Sequence, residues 1–156
     1  MTIRPADPGE SDALGRLARE AKAVWGYSAV QLDRWRDDLA VSPASIRRSP
    51  TFVAEADGAV VGFVQISTDT SPWELEHLWV GPRHMRRGVG RALLARAAEA
   101  AARAGERVLA IDADPHAEPF YLAVGARRIG EVAAPIDGQG DRVRPQLLLA
   151  VGAARS

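Results

Sequence analysis

Val80-Gly81-Pro82-Arg83-His84-Met85-Arg86-Arg87-Gly88-Val89-Gly90-Arg91-Ala92-Leu93-Leu94 packs three kinds of structural signal into one short run. An apolar stretch ends at Val80, and Pro82 blocks its continuation. Arginines at 83, 86 and 87 make the turn basic, and Gly88 and Gly90 lead into an alanine- and leucine-rich segment. The pattern predicts a strand, a basic turn and the N-terminus of a helix over Val89 to Arg103. The first N–H groups of such a helix have no partner within it, and the helix dipole is positive there. Together they suit a phosphate or pyrophosphate. Glycine lets a ligand approach the main chain where a Cβ would collide with it. The N–H groups of Arg87, Gly88, Val89, Gly90 and Arg91 are the candidate donors, with Arg86, Arg87 and Arg91 close by.

Two neighbouring motifs are excluded. A dinucleotide fingerprint needs a third glycine three residues after Gly90, but residue 93 is leucine. A P-loop needs Gly-Lys followed by Ser or Thr, and this region has no lysine. The plain alternative is an ordinary strand-to-helix turn with solvated arginines.

Composition narrows the class. A chain of 156 residues is expected to form one domain, 1–156, large enough to bury a core without staples. Lys+Arg and Asp+Glu both number 20, so no global field favours nucleic acid, and no recognised nucleic-acid motif is present. There is no cysteine, which removes disulfides, thiolate metal sites and a cysteine nucleophile. His77, His84 and His116 lack metal-ligand spacing, so no metal is expected. No apolar run is long enough for a membrane span and the start resembles no signal peptide, so a cytoplasmic location is expected.

Along the chain, elements alternate with short connections. Expected are a strand at Thr2 to Pro5 and a helix from Glu10 to Trp25. A second helix, capped by Ser28 with Gln31 as capping-box partner, closes at Ser42-Pro43, with a brief turn at Ser45 to Arg48. Thr51 to Ala56 and Ala59 to Ser67 read as a hairpin about Asp57-Gly58. Strands follow at Trp73 to Val80 and Arg107 to Asp112, flanking the long helix. A short helix at Ala117 to Val124 precedes strands at Arg127 to Val132 and Gln146 to Val151, with a loop from Ala134 to Pro145 between them. The order β-α-α-β-β-β-α-β-α-β-β is that of a mixed α/β sheet with helices on both faces.

On these residues the chain resembles the GNAT superfamily of N-acetyltransferases over nearly its whole length. The family's first signature is Arg or Gln, two residues, Gly, one residue, then Gly or Ala, after a strand often ending Val-x-Pro. Here the glycines are Gly88 and Gly90 and the strand ends Val80-Gly81-Pro82, but Met85 stands at the polar first position. The second signature, a tyrosine four residues before a Gly-aromatic pair, is Tyr121 with Gly125, and Ala126 replaces the aromatic. Asp114 stands where many members carry Asn, with Ala117 three residues on. The resemblance implies a mostly antiparallel sheet of six to seven strands, with acetyl-CoA bound where the sheet splays open. It implies that the backbone of Leu78, Trp79 and Val80 meets the pantetheine amides. Arg86, Arg87, Gly88, Val89, Gly90 and Arg91 would hold the pyrophosphate, and Asp114, Ala117 and Tyr121 would complete the cofactor side.

The implied chemistry needs a base, an oxyanion donor and an acid. Free amines have pKa values from roughly 7.7 to 10.4, so the nucleophile must lose a proton at neutral pH. The departing thiolate takes one up, and the resemblance assigns that proton to Tyr121. Packing of the short helix is the alternative role for this side chain. For the base, strand alternation puts Glu74 and Glu76 on one face of their strand and Leu75, His77 and Trp79 on the other. Glu76 is the first choice, Glu74 the second, and His77 the third; burial would raise a glutamate toward a useful range. Aromatics Trp25, Tyr27 and Trp35 read as core more readily than as a ligand cage, and Arg142 and Arg144 as solvated loop charges more readily than as an acceptor clamp. The acceptor is a small-molecule or peptide amine, and the resemblance is compatible with a homodimer. The competing function is a non-catalytic module on the same fold that binds or senses coenzyme A.

Overall fold

A computed structural model describes residues 1–152. Seven strands are hydrogen-bonded in the order β1-β2-β3-β4-β5-β7-β6, namely β1 Thr2–Pro5, β2 Thr51–Ala56, β3 Ala59–Ser67, β4 Glu74–Val80, β5 Val108–Asp112, β6 Arg127–Ala133 and β7 Val143–Ala150. The sheet is mixed: β4 and β5 run parallel, while β1–β2, β2–β3, β5–β7 and β6–β7 are antiparallel. The helices are α1 Ser11–Ala23, α2 Ala29–Arg34, α3 Arg36–Leu39, α4 Pro43–Arg48, α5 Val89–Arg103 and α6 Glu118–Ala123. The chain groups into two compact units, one of Met1–Ser67 with Glu76–Ala97, the other of Thr68–Leu75 with residues 98–152.

In the first unit the hairpin forms where the sequence calls for it. Asp57 and Gly58 both have positive φ, +53° and +79°, the backbone that suits a two-residue connection between twisted strands. The core follows from two periodicities. Leu14, Leu17 and Ala18 lie on one stripe of α1 and pack with Leu39, Val41 and Ile46, against Val53 and Phe63 of the sheet. The alternate side chains of β2 and β3 meet α5: the Arg96 guanidinium lies 4.3 Å from the Phe52 ring centre, and Gly62 lies beneath Val89 and Leu93. Helices therefore cover both faces of this part of the sheet.

The second unit is built on β7, which pairs with β5 from Val108↔Ala150 to Asp112↔Gln146 and with β6 on its other side. Leu109, Ile111, Leu147 and Leu149 fill its core. β4 joins β5 through only two residue pairs, Glu74↔Ala110 and Leu75↔Ile111, and their pairing stops at Leu75.

Three boundaries differ from the sequence expectation. Ser42-Pro43 does end one helical stretch but opens another: Ser42 and Ser45 form a reciprocal capping box, and Pro43 sits in the first turn, where its missing N–H costs nothing. The helix expected from Ser28 is split at Trp35, whose ψ is 3°, into α2 and α3. β7 begins at Val143, inside the expected loop, because Val143, Arg144 and Pro145 pair with Ala133, Val132 and Glu131. Among the described residues no helix is long and apolar enough to cross a membrane.

Candidate active site

In the first unit the β4–α5 junction is the candidate anion-binding turn. The Gly81 N–H donates to the Val61 carbonyl at 2.8 Å, fixing the end of β4 against β3. A short 3-10 turn at Pro82–His84 follows, closed by His84 N–H to the Gly81 carbonyl at 2.9 Å. Arg86 and Gly88 both adopt left-handed backbone, with φ of +62° and +83°. Alternation of handedness in a turn points successive N–H groups into one concavity, a recurrent anion site. The Gly88 carbonyl accepts from Ala92 N–H at 3.0 Å, so the N–H groups of Val89, Gly90 and Arg91 lie in the first turn of α5. A Cβ on Gly88 would meet nothing within 4 Å, so the space above it is open. Arg86, Arg87 and Arg91 are exposed around this opening, whereas Val89 is buried and anchors the helix. Residues 86–91 are those that could hold a pyrophosphate, through backbone N–H groups rather than through the side chain of Met85.

β4 presents its candidate bases unequally. Leu75 and His77 are buried, Glu74 is half-buried and Glu76 is exposed, while Leu78, Trp79 and Val80 are half-buried. Glu76, expected to be buried, thus lies at the surface. His77 is a core residue. Its Nδ1 accepts from Trp79 Nε1 at 3.2 Å, its ring lies 5.7 Å from that of Phe63, and burial pushes its pKa down to about 4. An imidazole so held is neutral near pH 7.

In the second unit, Asp114, Ala117 and Tyr121 come together at the start of α6. Asp114 accepts the backbone N–H of His116 at 2.8 Å and contacts its Nδ1 at 2.9 Å. Its carbonyl accepts from Ala117 N–H, and the Ala117 carbonyl accepts from Tyr121 N–H at 3.2 Å. Tyr121 is 7% exposed and packs edge-on against Phe120. Burial, and secondly the Asp114 charge, push its hydroxyl above the usual tyrosine range, so it holds its proton as a neutral phenol. Glu74 belongs to this unit, whereas Glu76 and the anion turn belong to the first.

Of the arginines read as solvated loop charges, Arg142 is buried, and Arg144 is partly exposed but paired and in β7. Arg142 donates from Nη1 to the Ala134 carbonyl at 3.0 Å and from Nη2 to Asp114 Oδ2 at 3.4 Å. Arg144 holds Asp112 with two bonds, 2.8 and 3.1 Å. Both partners are far away in sequence and adjacent only through the β5–β7 pairing, so no local signal marks them. The aromatics of the first unit also have a role that spacing does not reveal. Lys22 Nζ lies 4.1 Å from the Trp35 ring centre, 5.7 Å from Tyr27 and 5.8 Å from Trp79, a cation held among three rings.

Comparison with known proteins bears on this arrangement. The family model described as "Acetyltransferase (GNAT) domain" matches residues 13–134. A peptidyl-lysine N-acetyltransferase of Escherichia coli, YiaC, is 33% identical over 93 residues, 59% of this chain and 61% of its own length. An L-methionine sulfoximine/L-methionine sulfone acetyltransferase of Salmonella typhimurium is 32% identical over 119 residues, 70% of this chain and 68% of its own. The chain thus spans about three fifths of the length of the first relative. Among solved structures, the PaiA N-acetyltransferase of Thermoplasma acidophilum in complex with coenzyme A aligns with a TM-score of 0.76 at 19% identity, covering 96% of this chain and 98% of that one. With the family model spanning most of its length, and with the fold agreeing, the chain belongs to the GNAT family of acetyltransferases.

Proposed function

We propose that the protein is an acetyl-CoA-dependent N-acetyltransferase with a primary amine as acceptor, acting as a single GNAT domain over residues 1–156. The observation that carries this reading is the left-handed backbone at Arg86 and Gly88, which opens a cradle of N–H groups at the head of α5. In this reading Arg86, Arg87, Gly88, Val89, Gly90 and Arg91 hold the pyrophosphate of acetyl-CoA. The backbone of Leu78, Trp79 and Val80 binds the pantetheine amides, and Asp114, Ala117 and Tyr121 serve the cofactor from α6.

The acceptor nitrogen attacks the thioester carbonyl, a C–N bond forms and the C–S bond breaks. Glu76, reached directly or through water, takes the amine proton; Glu74 is the second candidate. Exposure of Glu76 favours relay through water to solvent over a desolvated base. Tyr121 delivers its retained proton to the departing thiolate, and solvent reprotonates it. The two curated relatives act on a peptide lysine and on amino-acid derivatives, so both kinds of amine belong in the acceptor panel.

The test is thiol release from acetyl-CoA in the presence of a lysine-containing peptide, methionine sulfone and simple polyamines. Release that requires one of these amines supports the enzyme. Tight acetyl-CoA binding with no amine-dependent release across the panel would instead favour a coenzyme A-sensing module.

A further inference from the structure

Apart from the acetyl-CoA elements, the first unit contains an open cleft of about 420 Å³. One wall is a single stripe of α1, including Arg16, Leu17 and Glu20; another is the start of β3 at Val61; the third is the turn bearing Arg83 and His84. That volume lies within the range of small-molecule sites, roughly 300–1,000 Å³. Leu17 and Val61 make an apolar floor, both less than 10% exposed. The walls are held in register by the Gly81 N–H bond to the Val61 carbonyl at 2.8 Å and by the His84 N–H bond to Gly81 at 2.9 Å.

Its charges are uncommitted. Some arginines of this chain are paired, Arg4 with Glu10, Arg103 with Glu99, Arg128 with Glu118 and Arg144 with Asp112, whereas others, Arg16 and Arg83 among them, are exposed without such a partner. Among the described residues, the side chains of Arg16, Glu20, Arg83 and His84 make no hydrogen bond or ion pair. Arg16 and Glu20 stand at i and i+4, where a pair could form, yet none does. Two guanidinium groups, an imidazole and one carboxylate therefore line the cleft around its apolar floor. Guanidinium groups favour carboxylate and phosphate oxygens because their N–H groups match the planar acceptor pair.

We propose that this cleft is a binding site for a small anion, a carboxylate- or phosphate-bearing molecule. Arg16 and Arg83 clamp the anionic group over the floor of Leu17 and Val61, and Glu20 accepts from an N–H or hydroxyl of the same molecule. The site does not depend on the acetyl-transfer reading. Its test is calorimetric titration of the acetyl-CoA-saturated protein with citrate and, separately, inorganic phosphate, so that the cofactor's own anion turn is already filled. Citrate is expected to bind, Arg16→Gln and Arg83→Gln to weaken it roughly five- to twentyfold each, and Glu20→Gln to tighten it by removal of like charge. Phosphate binding alongside citrate would assign the clamp to any oxyanion; citrate alone would assign it to carboxylates. The proposal is overturned if neither probe binds the saturated protein, or if both arginine variants bind citrate as the wild type does.

Discussion

Tyr121 holds its proton because its ring is buried and because Asp114 is charged nearby, and both effects penalise the phenolate. A donor of this kind releases a proton only to a strong base formed beside it, as a desolvated thiolate would be. Tyr121→Phe keeps the ring packing against Phe120 and removes the proton. Amine-dependent thiol release should fall on the order of 10²- to 10⁴-fold, with acetyl-CoA affinity changed less than about threefold. Unaltered turnover under chemistry-limited conditions would exclude the role. His77 makes a different prediction. The unfolded chain protonates this residue near 6.5 and the folded chain only near 4, so between those values the unfolded state binds more protons. Folding stability contributed at neutral pH is thus lost as pH falls through that window, by about 3 kcal/mol at most. Urea unfolding at pH 7 and pH 4.5 should show a larger loss for the wild type than for His77→Gln. Strand alternation was enough to put His77 on the face opposite Glu74 and Glu76; that this face is the buried one and that Trp79 donates to His77 required the fold. Arg142 was not legible at all, since a guanidinium in a Gly/Asp-rich segment looks solvated until Asp114 is brought beneath it.

At the scale of elements, the packing of β3 against the start of α5 rests on one glycine. A Cβ at Gly62 would lie 2.9 Å from the Trp79 carbonyl oxygen, 3.0 Å from Leu93 Cδ1 and 3.2 Å from Val89 Cγ1. The first of these is backbone of β4 and cannot turn away as a flexible side chain can. Gly62→Ala should therefore cost about 1–3 kcal/mol, read as a lowered urea midpoint at unchanged slope. Because Val89 and Leu93 belong to the first turns of α5, the same variant should weaken acetyl-CoA binding in a calorimetric titration. Gly88 differs: its surroundings are open, and only its positive φ constrains it. The long helix was read from sequence with the boundaries it has in the structure, Val89–Arg103, because a cap glycine and Gly105 bracket a strongly periodic run. α4 and the early start of β7 escaped that reading. Proline at Pro43 suggests a helix end as readily as a first turn, and Val143–Pro145 becomes strand only because β6 offers a partner.

For the molecule as a whole, ligand binding and folding are linked. If acetyl-CoA binds the folded chain and not the unfolded one, a concentration 100 times its dissociation constant adds about 2.7 kcal/mol. At roughly 2–4 °C per kcal/mol for a chain of this size, the thermal midpoint should rise by about 5–10 °C. ATP and NADH at the same excess should give much smaller shifts; equal shifts would mean that the turn recognises any polyphosphate. The succession of strands, the hairpin, the basic turn ahead of a long helix and membership of the GNAT family were all determined by the sequence alone. Each depends on local signals: period, turn chemistry, and glycines that backbone geometry demands. What only tertiary structure decided is which polar groups are buried and with whom. Burial of His77, exposure of Glu76, the clasp of Asp114 by Arg142 and the gathering of three rings about Lys22 all depend on how elements distant in the chain pack. The free energies of those groups depend on desolvation and on partners supplied across strands and helices, and neither is a property of any local stretch.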